Sequence, residues 1–473
     1  MYLKKLRSIT PLVIAISISA CAHKESKKYE EMPFIEPEET HVVESDYFED
    51  SSMIKEFSSP VASSISRDSV PESYSVAESS PLAIDLGGTA VDGLVASKII
   101  EKKKPLPASE LRFQSGSLTS GILHDNLNYD DFITYANQSN VKAINKLDAI
   151  SRQFMVVFDR NNDLLTNHPF TINIDGKKEF HGTTSSFGHL SYFPIFDDLI
   201  AEEFFEIQLK GSAEKHRYYV QQDGRPVSIT INDIDNTNLD IIEIAYIIDA
   251  TGSMTDELEY LKIELIDIIN SVSQINPGIE IFTSIIVYRD TTDEYITKTS
   301  DFSVSPAQSI DFINKQFADG GGDFPEAMDS ALVEALKLSW IDSDHTKMLF
   351  LLADAPPHNE NILKTFDLLD EFREKGISIN PIAASGVEDT AQAVMRTLAV
   401  TTNGNYLFLT DDSGYGNSHA EPSNTCYIVT TLKESIIRTI SSEIQKSKLE
   451  PAARQIIRQV GEYDKGLCGG IKE

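Results

Sequence analysis

The chain has 473 residues, 41% of them hydrophobic, with 73 acidic against 41 basic side chains and a formal net charge of −32. That length allows two or three domains with cores of their own. The acidity excludes a nucleic-acid partner, because a phosphate backbone would be repelled rather than gathered.

At the amino terminus Lys4, Lys5 and Arg7 precede an apolar stretch at residues 12–20, which ends in Ile18-Ser19-Ala20 before Cys21. A positive end, a short apolar core and small residues are the order of an export signal, too short to persist as a membrane span. Residues 1–21 resemble a bacterial lipoprotein signal, which implies that Cys21 is lipidated and anchors the protein in the cell envelope. Ala22 rather than Asp follows, which by the same resemblance implies the outer membrane. Residues 22–107 are rich in Ser, Glu and Pro without helix or strand period and read as a disordered tether. As a flexible coil it would reach roughly 50 Å.

Residues 108–150 carry short amphipathic pieces at 127–135 and 141–147 and read as a helical connector. From 151 to 236 the period drops to two: Phe154, Val156 and Phe158 alternate, then Phe170, Ile172 and Ile174, with turn residues at Asn161-Asn162-Asp163 and Asp175-Gly176. Further strand signals at 188–193, 205–209, 217–221 and 227–231 complete a small all-β sandwich. The stretch from Val157-Phe158-Asp159 through Gly182-Thr183-Thr184 to Pro194 resembles the carboxypeptidase-regulatory or transthyretin-like sandwich, which implies a spacer.

From 240 to 446 strand and helix patterns alternate, which predicts an α/β fold with a doubly wound, mostly parallel, Rossmann-like sheet. Strands are expected at 241–248, 280–288, 347–353, 378–384 and 406–409, with an antiparallel edge at 295–301. Helices are expected at 258–272, 307–317, 327–338, 362–375, 390–399 and 432–445. In the first helix Leu258, Leu261, Leu265, Ile268 and Val272 recur at three- and four-residue steps and form one sheet-facing stripe. Residues 447–473 read as a C-terminal tail, tied to this domain by a disulfide between Cys426 and Cys468 in an oxidising envelope. A zinc site built from His419 and the same two thiols is the alternative.

Three acidic loops fall at expected strand ends: Asp249-Ala250-Thr251-Gly252-Ser253, Gly320-Gly321-Gly322-Asp323-Phe324-Pro325-Glu326, and Ala353-Asp354-Ala355-Pro356-Pro357-His358. Open parallel sheets bind ligands at such ends, and carboxylates with hydroxyls are the donors a hard divalent cation prefers. Taken singly, Ser253 with Asp256, Thr255, Asp323 or Ser330 could equally cap helices. Together the loops resemble the von Willebrand factor A domain and its metal-ion-dependent adhesion site. The resemblance implies Asp249, Thr251, Ser253, Asp323 and Asp354 around one ion, Mg²⁺ or else Ca²⁺ or Mn²⁺. It also implies a protein or surface ligand whose acidic side chain completes the shell. Asp323 stands where the family usually has Thr.

Tyr288-Arg289-Asp290 with Asp293 reads as a salt-bridged strand end, and His358 and His419 as structural rather than ligating. No GxSxG, GxxxxGK[ST] or HExxH motif is present, so the sequence points away from an enzyme. The expected function is adhesion or scaffolding by an envelope-anchored lipoprotein. A metal-dependent hydrolase using Asp249, Asp323, Glu326 and Asp354, and a metal-free structural lipoprotein, are the alternatives.

Overall fold

The computed structural model describes residues 117–469 apart from 175, 177, 202, 222–225, 237–240, 276, 323, 415–417 and 424–425. The export signal with Cys21, the tether, the start of the connector, Asp323 and the last four residues lie outside the described residues.

Strand β1 (Thr119–Leu123) comes first, then helix α1 (Tyr129–Gln138) and two short 3₁₀ turns. Seven strands follow: β2 (Gln153–Asp159), β3 (Pro169–Ile174), β4 (Lys178–Thr183), β5 (His189–Tyr192), β6 (Phe204–Leu209), β7 (His216–Tyr219) and β8 (Val227–Ile231). They form a three-stranded sheet in the order β5-β2-β8 and a four-stranded sheet in the order β4-β3-β6-β7. The period-two pattern explains the arrangement. Val157, Leu190 and Ile229 of one sheet share a core with Ile172, Phe205 and Ile207 of the other, while the alternating positions point outward.

The α/β part comprises β9 (Ile241–Asp249), α2 (Thr255–Ile275), β10 (Glu280–Tyr288), β11 (Thr297–Ser303), α3 (Pro306–Ile313), α4 (Met328–Leu336), β12 (Thr346–Ala353), α5 (Ile362–Asp367), α6 (Leu369–Glu374), β13 (Ile377–Ala383), α7 (Asp389–Thr401), β14 (Tyr406–Thr410), β15 (Tyr427–Thr431), α8 (Leu432–Gln445) and β16 (Arg458–Val460). One nine-stranded sheet runs β11-β10-β9-β12-β13-β14-β1-β15-β16. The neighbours from β10 to β14 pair in parallel, while β11 closes one edge antiparallel to β10.

Both faces of this sheet are covered, so β9 and β12 read as continuous apolar runs rather than as alternating ones. Their period of two divides the residues between faces. Ala245 and Ile247 of β9 join the core beneath α4 to α7, whereas Ile244, Tyr246 and Ile248 join the core beneath α2, α3 and α8. The chain leaves β9 towards β10 through α2 on one face and reaches β12 through α4 on the other. The C-terminal ends of β9 and β12 therefore flank a topological switch point.

Three features differ from the expectation. The connector contains β1, which inserts antiparallel between β14 and β15 as the seventh of the nine strands of the large sheet. The chain ahead of the small sheets thus belongs to the α/β core. Its hydroxyls find distant partners: Thr119 Oγ1 lies 2.8 Å from Thr410 Oγ1 and Ser120 Oγ lies 2.8 Å from Ser435 Oγ. Second, β15 was not foreseen, and third, the tail supplies the edge strand β16 against β15. Cys426 and Cys468 form a disulfide, so neither thiol is a zinc ligand.

Two buried ion pairs fix these additions. Arg396 of α7 donates from Nε and Nη2 to the two carboxylate oxygens of Asp125, at 2.9 and 2.7 Å, holding the chain just after β1. Arg373 of α6 donates to Asp197 at 2.5 Å and to Ser191 O at 3.1 Å while stacking on Phe180, joining the small sheets to the large one.

Gly121 of β1 faces Phe408 of β14, and a Cβ there would fall 2.3 Å from the ring. Gly121→Val is expected to destabilise the protein by about 1–3 kcal/mol through overpacking. Urea unfolding checks this, and an unchanged midpoint would contradict the seating of β1 under Phe408.

Candidate metal centre

Asp249 ends β9 and is fully buried. Its Oδ1 accepts from the backbone N–H of Thr251 at 2.9 Å and from Thr251 Oγ1 at 2.7 Å. Thr251 Oγ1 also lies 3.1 Å from Ser253 Oγ, so the first loop curls its two hydroxyls round one carboxylate. Ser253 sits in a 3₁₀ turn that opens α2 and is exposed, so this side of the cluster meets solvent. Thr255 Oγ1 donates to Gly252 O at 2.6 Å, which ties the turn together without capping the helix.

Asp354 follows β12, which pairs directly with β9, and it interacts with both Asp249 and the Ser253 hydroxyl. Of the residues expected at a metal, Asp249, Thr251, Ser253 and Asp354 are therefore brought together, and Asp323 lies outside the described residues. Glu326 joins the cluster from the middle loop. Its N–H donates to Pro356 O at 3.0 Å, seating it beside the loop after β12.

Glycine makes this approach possible. Gly321 has φ +73°, and a Cβ there would lie 2.9 Å from Glu326 Oε1 and 3.5 Å from Thr251 Cβ. Gly252 donates to Gly320 O at 3.2 Å, and a Cβ on Gly252 would come within 2.9 Å of that oxygen.

Among the described residues, three buried carboxylate oxygens here have no hydrogen-bond partner: Asp249 Oδ2, Asp354 Oδ1 and Glu326 Oε2; the Tyr288 hydroxyl stands near Asp249 without reaching hydrogen-bond geometry. Leaving such atoms dry and unpaired is costly, and the titration of the groups reflects it. Burial, and then the nearby Asp354, push Asp249 up to about 7. Burial, and then Asp249, push Glu326 up to about 9. Burial also raises Asp354, against the Ser253 hydroxyl, which favours its ionised form. Asp249 and Asp354 interact strongly enough to titrate as a pair. Tyr288, buried at the end of β10, is raised for the same reasons, burial first and then Asp249.

An oxygen-only cluster with unpaired, mutually repelling carboxylates fits a hard divalent cation. Among the described residues no three His, Cys, Asp or Glu side chains form a ligand group by themselves. The set is two carboxylates, Asp249 and Asp354, completed by the hydroxyls of Thr251 and Ser253.

Around this cluster the structure corrects one pairing. Arg289 does not bridge to Asp290 or Asp293. It is buried and donates from Nε to Ala250 O at 3.1 Å and from Nη2 to Phe317 O at 2.7 Å, with Asp319 at 3.8 Å and Tyr295 under its guanidinium. It thus pins the first metal loop to the segment after α3. Asp290 meets His358 Nε2 at 2.7 Å, and Asp293 Oδ2 accepts from the N–H groups of Asp290 and Gly321.

His419 lies buried between Asp411 Oδ1, at 2.8 Å, and Glu257 Oε1, at 3.1 Å. Glu257 also accepts from the Ser385 N–H and adds to the repulsion on Asp354. Neither histidine lies among the candidate ligands.

Glu326 is the residue that sequence reasoning placed only in a hydrolase. The signal that could have found it is its spacing, three residues after Asp323 at the close of a run of glycines.

A stretch of 196 residues, 36% of this chain, is 30% identical to an ariadne-like RING finger protein of Acanthamoeba polyphaga mimivirus; the chain spans 18% of that relative's length. The crystal structure of a conserved hypothetical protein, BatB, from Bacteroides thetaiotaomicron is similar over 43% of this chain and 98% of that one, at 15% identity and a TM-score of 0.31. Residues 243–417 match the von Willebrand factor A domain family, and they form such a domain in this chain.

Proposed function

We propose that the A domain binds one divalent cation, Mg²⁺ in the first instance, between Asp249, Thr251, Ser253 and Asp354, with Glu326 beside them, and through it a protein or surface ligand. The observation that carries this reading is the trio of buried carboxylate oxygens without partners at the switch point of the sheet. A bound cation supplies the positive charge those oxygens lack and an open coordination position for a partner's oxygen. Asp249 contributes Oδ2 while its Oδ1 holds the loop, and Ser253 offers its hydroxyl on the exposed side. Glu326, which burial and then Asp249 push up to about 9, would stand beside the ion as a neutral carboxyl. Two carboxylates against one dication would leave the site close to neutral. The partner is therefore held by direct coordination and by the protein surface around it more than by long-range attraction.

The export signal and Cys21 support a lipid-anchored position in the bacterial envelope, with the small sheets acting as spacer. Adhesion or scaffolding then follows from an anchored binding head.

The test is a thermal melt of the full chain in Mg²⁺ and in EDTA. A cation at 100 times its Kd should stabilise by about 2.7 kcal/mol, and a melt that is the same in both conditions would discard the reading.

A further inference from the structure

A second site lies at the opposite end of the sheet, where Asn403, Gly404 and Asn405 lead into β14. There the end of β1, the start of β14, helix α8 and the β5 edge of the small sheets enclose a cleft with a cavity of about 90 Å³. At roughly 10–15 Å³ for each water-sized body, that is room for about six. Ile122, Phe187 and Leu449 supply apolar walls, and Leu127 stands 43% exposed at the mouth.

The polar side of this cleft is cationic, which is unexpected in a chain of net charge −32. Arg438 of α8 and Lys448 line it together with His124. The Lys448 ammonium is held by Glu450 and by the Tyr463 hydroxyl. The Arg438 guanidinium has no hydrogen bond or ion pair among the described residues, although acidic groups at Glu450 and Glu434 lie within electrostatic range. His124 Nδ1 donates to Asn405 Oδ1 at 2.8 Å. Burial, then the charges of Lys448 and Arg438, hold His124 down at about 3, so the ring is neutral.

We infer that this cleft binds a small organic carboxylate, its anionic end on the Arg438 fork and its short apolar tail against Ile122, Phe187 and Leu449. A planar guanidinium presents paired donors that match a carboxylate and prefers such a partner to water when half-buried. Inorganic phosphate is disfavoured because three of the walls would have to desolvate its remaining oxygens without replacing their hydrogen bonds. Glu443 shares the wall, and burial raises it to about 7. Binding is thus expected to be stronger at pH 6, where this acid is largely neutral, than at pH 8. The inference does not depend on the metal centre.

The experiment is calorimetric titration of the full chain with butyrate, butan-1-ol and inorganic phosphate at pH 6, with EDTA present so that the metal centre is silent. Butyrate should bind, and the alcohol and phosphate should bind at least tenfold more weakly. Arg438→Gln should weaken butyrate at least tenfold, and Arg438→Lys, which keeps the charge but not the fork, by less. Methyl signals of Ile122 and Leu127 in the wild-type chain should move on adding butyrate, a readout that survives if a variant fails to fold. Absence of those shifts, equal binding of phosphate, or undiminished binding to Arg438→Gln would each overturn the assignment.

Discussion

Asp249→Asn is expected to raise the thermal midpoint of the metal-free protein at pH 8 while erasing its response to Mg²⁺. Asn can keep Oδ1 as acceptor for the Thr251 N–H and hydroxyl, and it places an NH₂ where the unpaired Oδ2 faced Asp354. The sign follows from linkage. The folded-state values of Asp249 and Glu326, about 7 and about 9, lie above the unfolded carboxylate range near 4. Their contribution to metal-free stability is therefore fully present below about pH 4 and is lost as the pH rises through those folded values. At pH 8 the wild-type chain carries an ionised, buried Asp249 beside Asp354, and the Asn variant does not. Raising buried Asp249 to about 7 sets a ceiling near 4 kcal/mol, and about 1–3 kcal/mol is expected after relaxation.

At pH 5, just above the unfolded carboxylate range, the gap between the two proteins should be well under half of that at pH 8. Metal affinity of the wild type should rise with pH across the same window, because protons and the cation compete for the same oxygens. Melts of both proteins at pH 5 and pH 8, each with and without Mg²⁺, check all three statements. A variant less stable than wild type at pH 8 without metal would show that the repulsion is not there.

The second large effect is at the opposite end of the molecule. Asp125→Ala should cost about 3–5 kcal/mol, the usual penalty for removing one partner of a buried ion pair. Both of its oxygens are engaged by Arg396, whose own side chain is fully buried against Tyr135 and Phe132. The lost partner leaves a desolvated guanidinium, and it also frees the chain just after β1, an interior strand. Asp125→Asn keeps the shape and an acceptor and should cost less. Urea unfolding of the three proteins provides the test. A loss below 1 kcal/mol for the Ala variant would mean that the arginine finds water or another acceptor.

Much of the fold was legible because local periodicity carries it. The change from period two to alternating strand and helix marked the boundary between the small sheets and the A domain. Leu258, Leu261 and Leu265 announced the face of α2 that packs on the sheet. What escaped was short and polar. Thr119-Ser120-Gly121 has no alternation, because β1 is buried on both sides and satisfies its hydroxyls with Thr410 and Ser435, partners nearly 300 positions away. β4, in Lys178–Thr183, carries charged residues and a glycine, and it forms because β3 pairs along its whole length.

The same division holds at the site. Asp249, Thr251 and Ser253 are close in sequence and could be read together. Arg289 could not, because its acceptors are carbonyls of Ala250 and Phe317 rather than the acidic neighbours at Asp290 and Asp293. Asp354 was placed by its strand end, whereas the reach of Glu326 depends on Gly321 adopting a left-handed conformation.

The central claim is tested most directly by anomalous diffraction from crystals of the full chain soaked in Mn²⁺. One peak within coordination distance of Asp249 Oδ2, Asp354 Oδ1 and Ser253 Oγ is the expected result. Electron density showing those three oxygens paired with protein groups and no ion among them would contradict it.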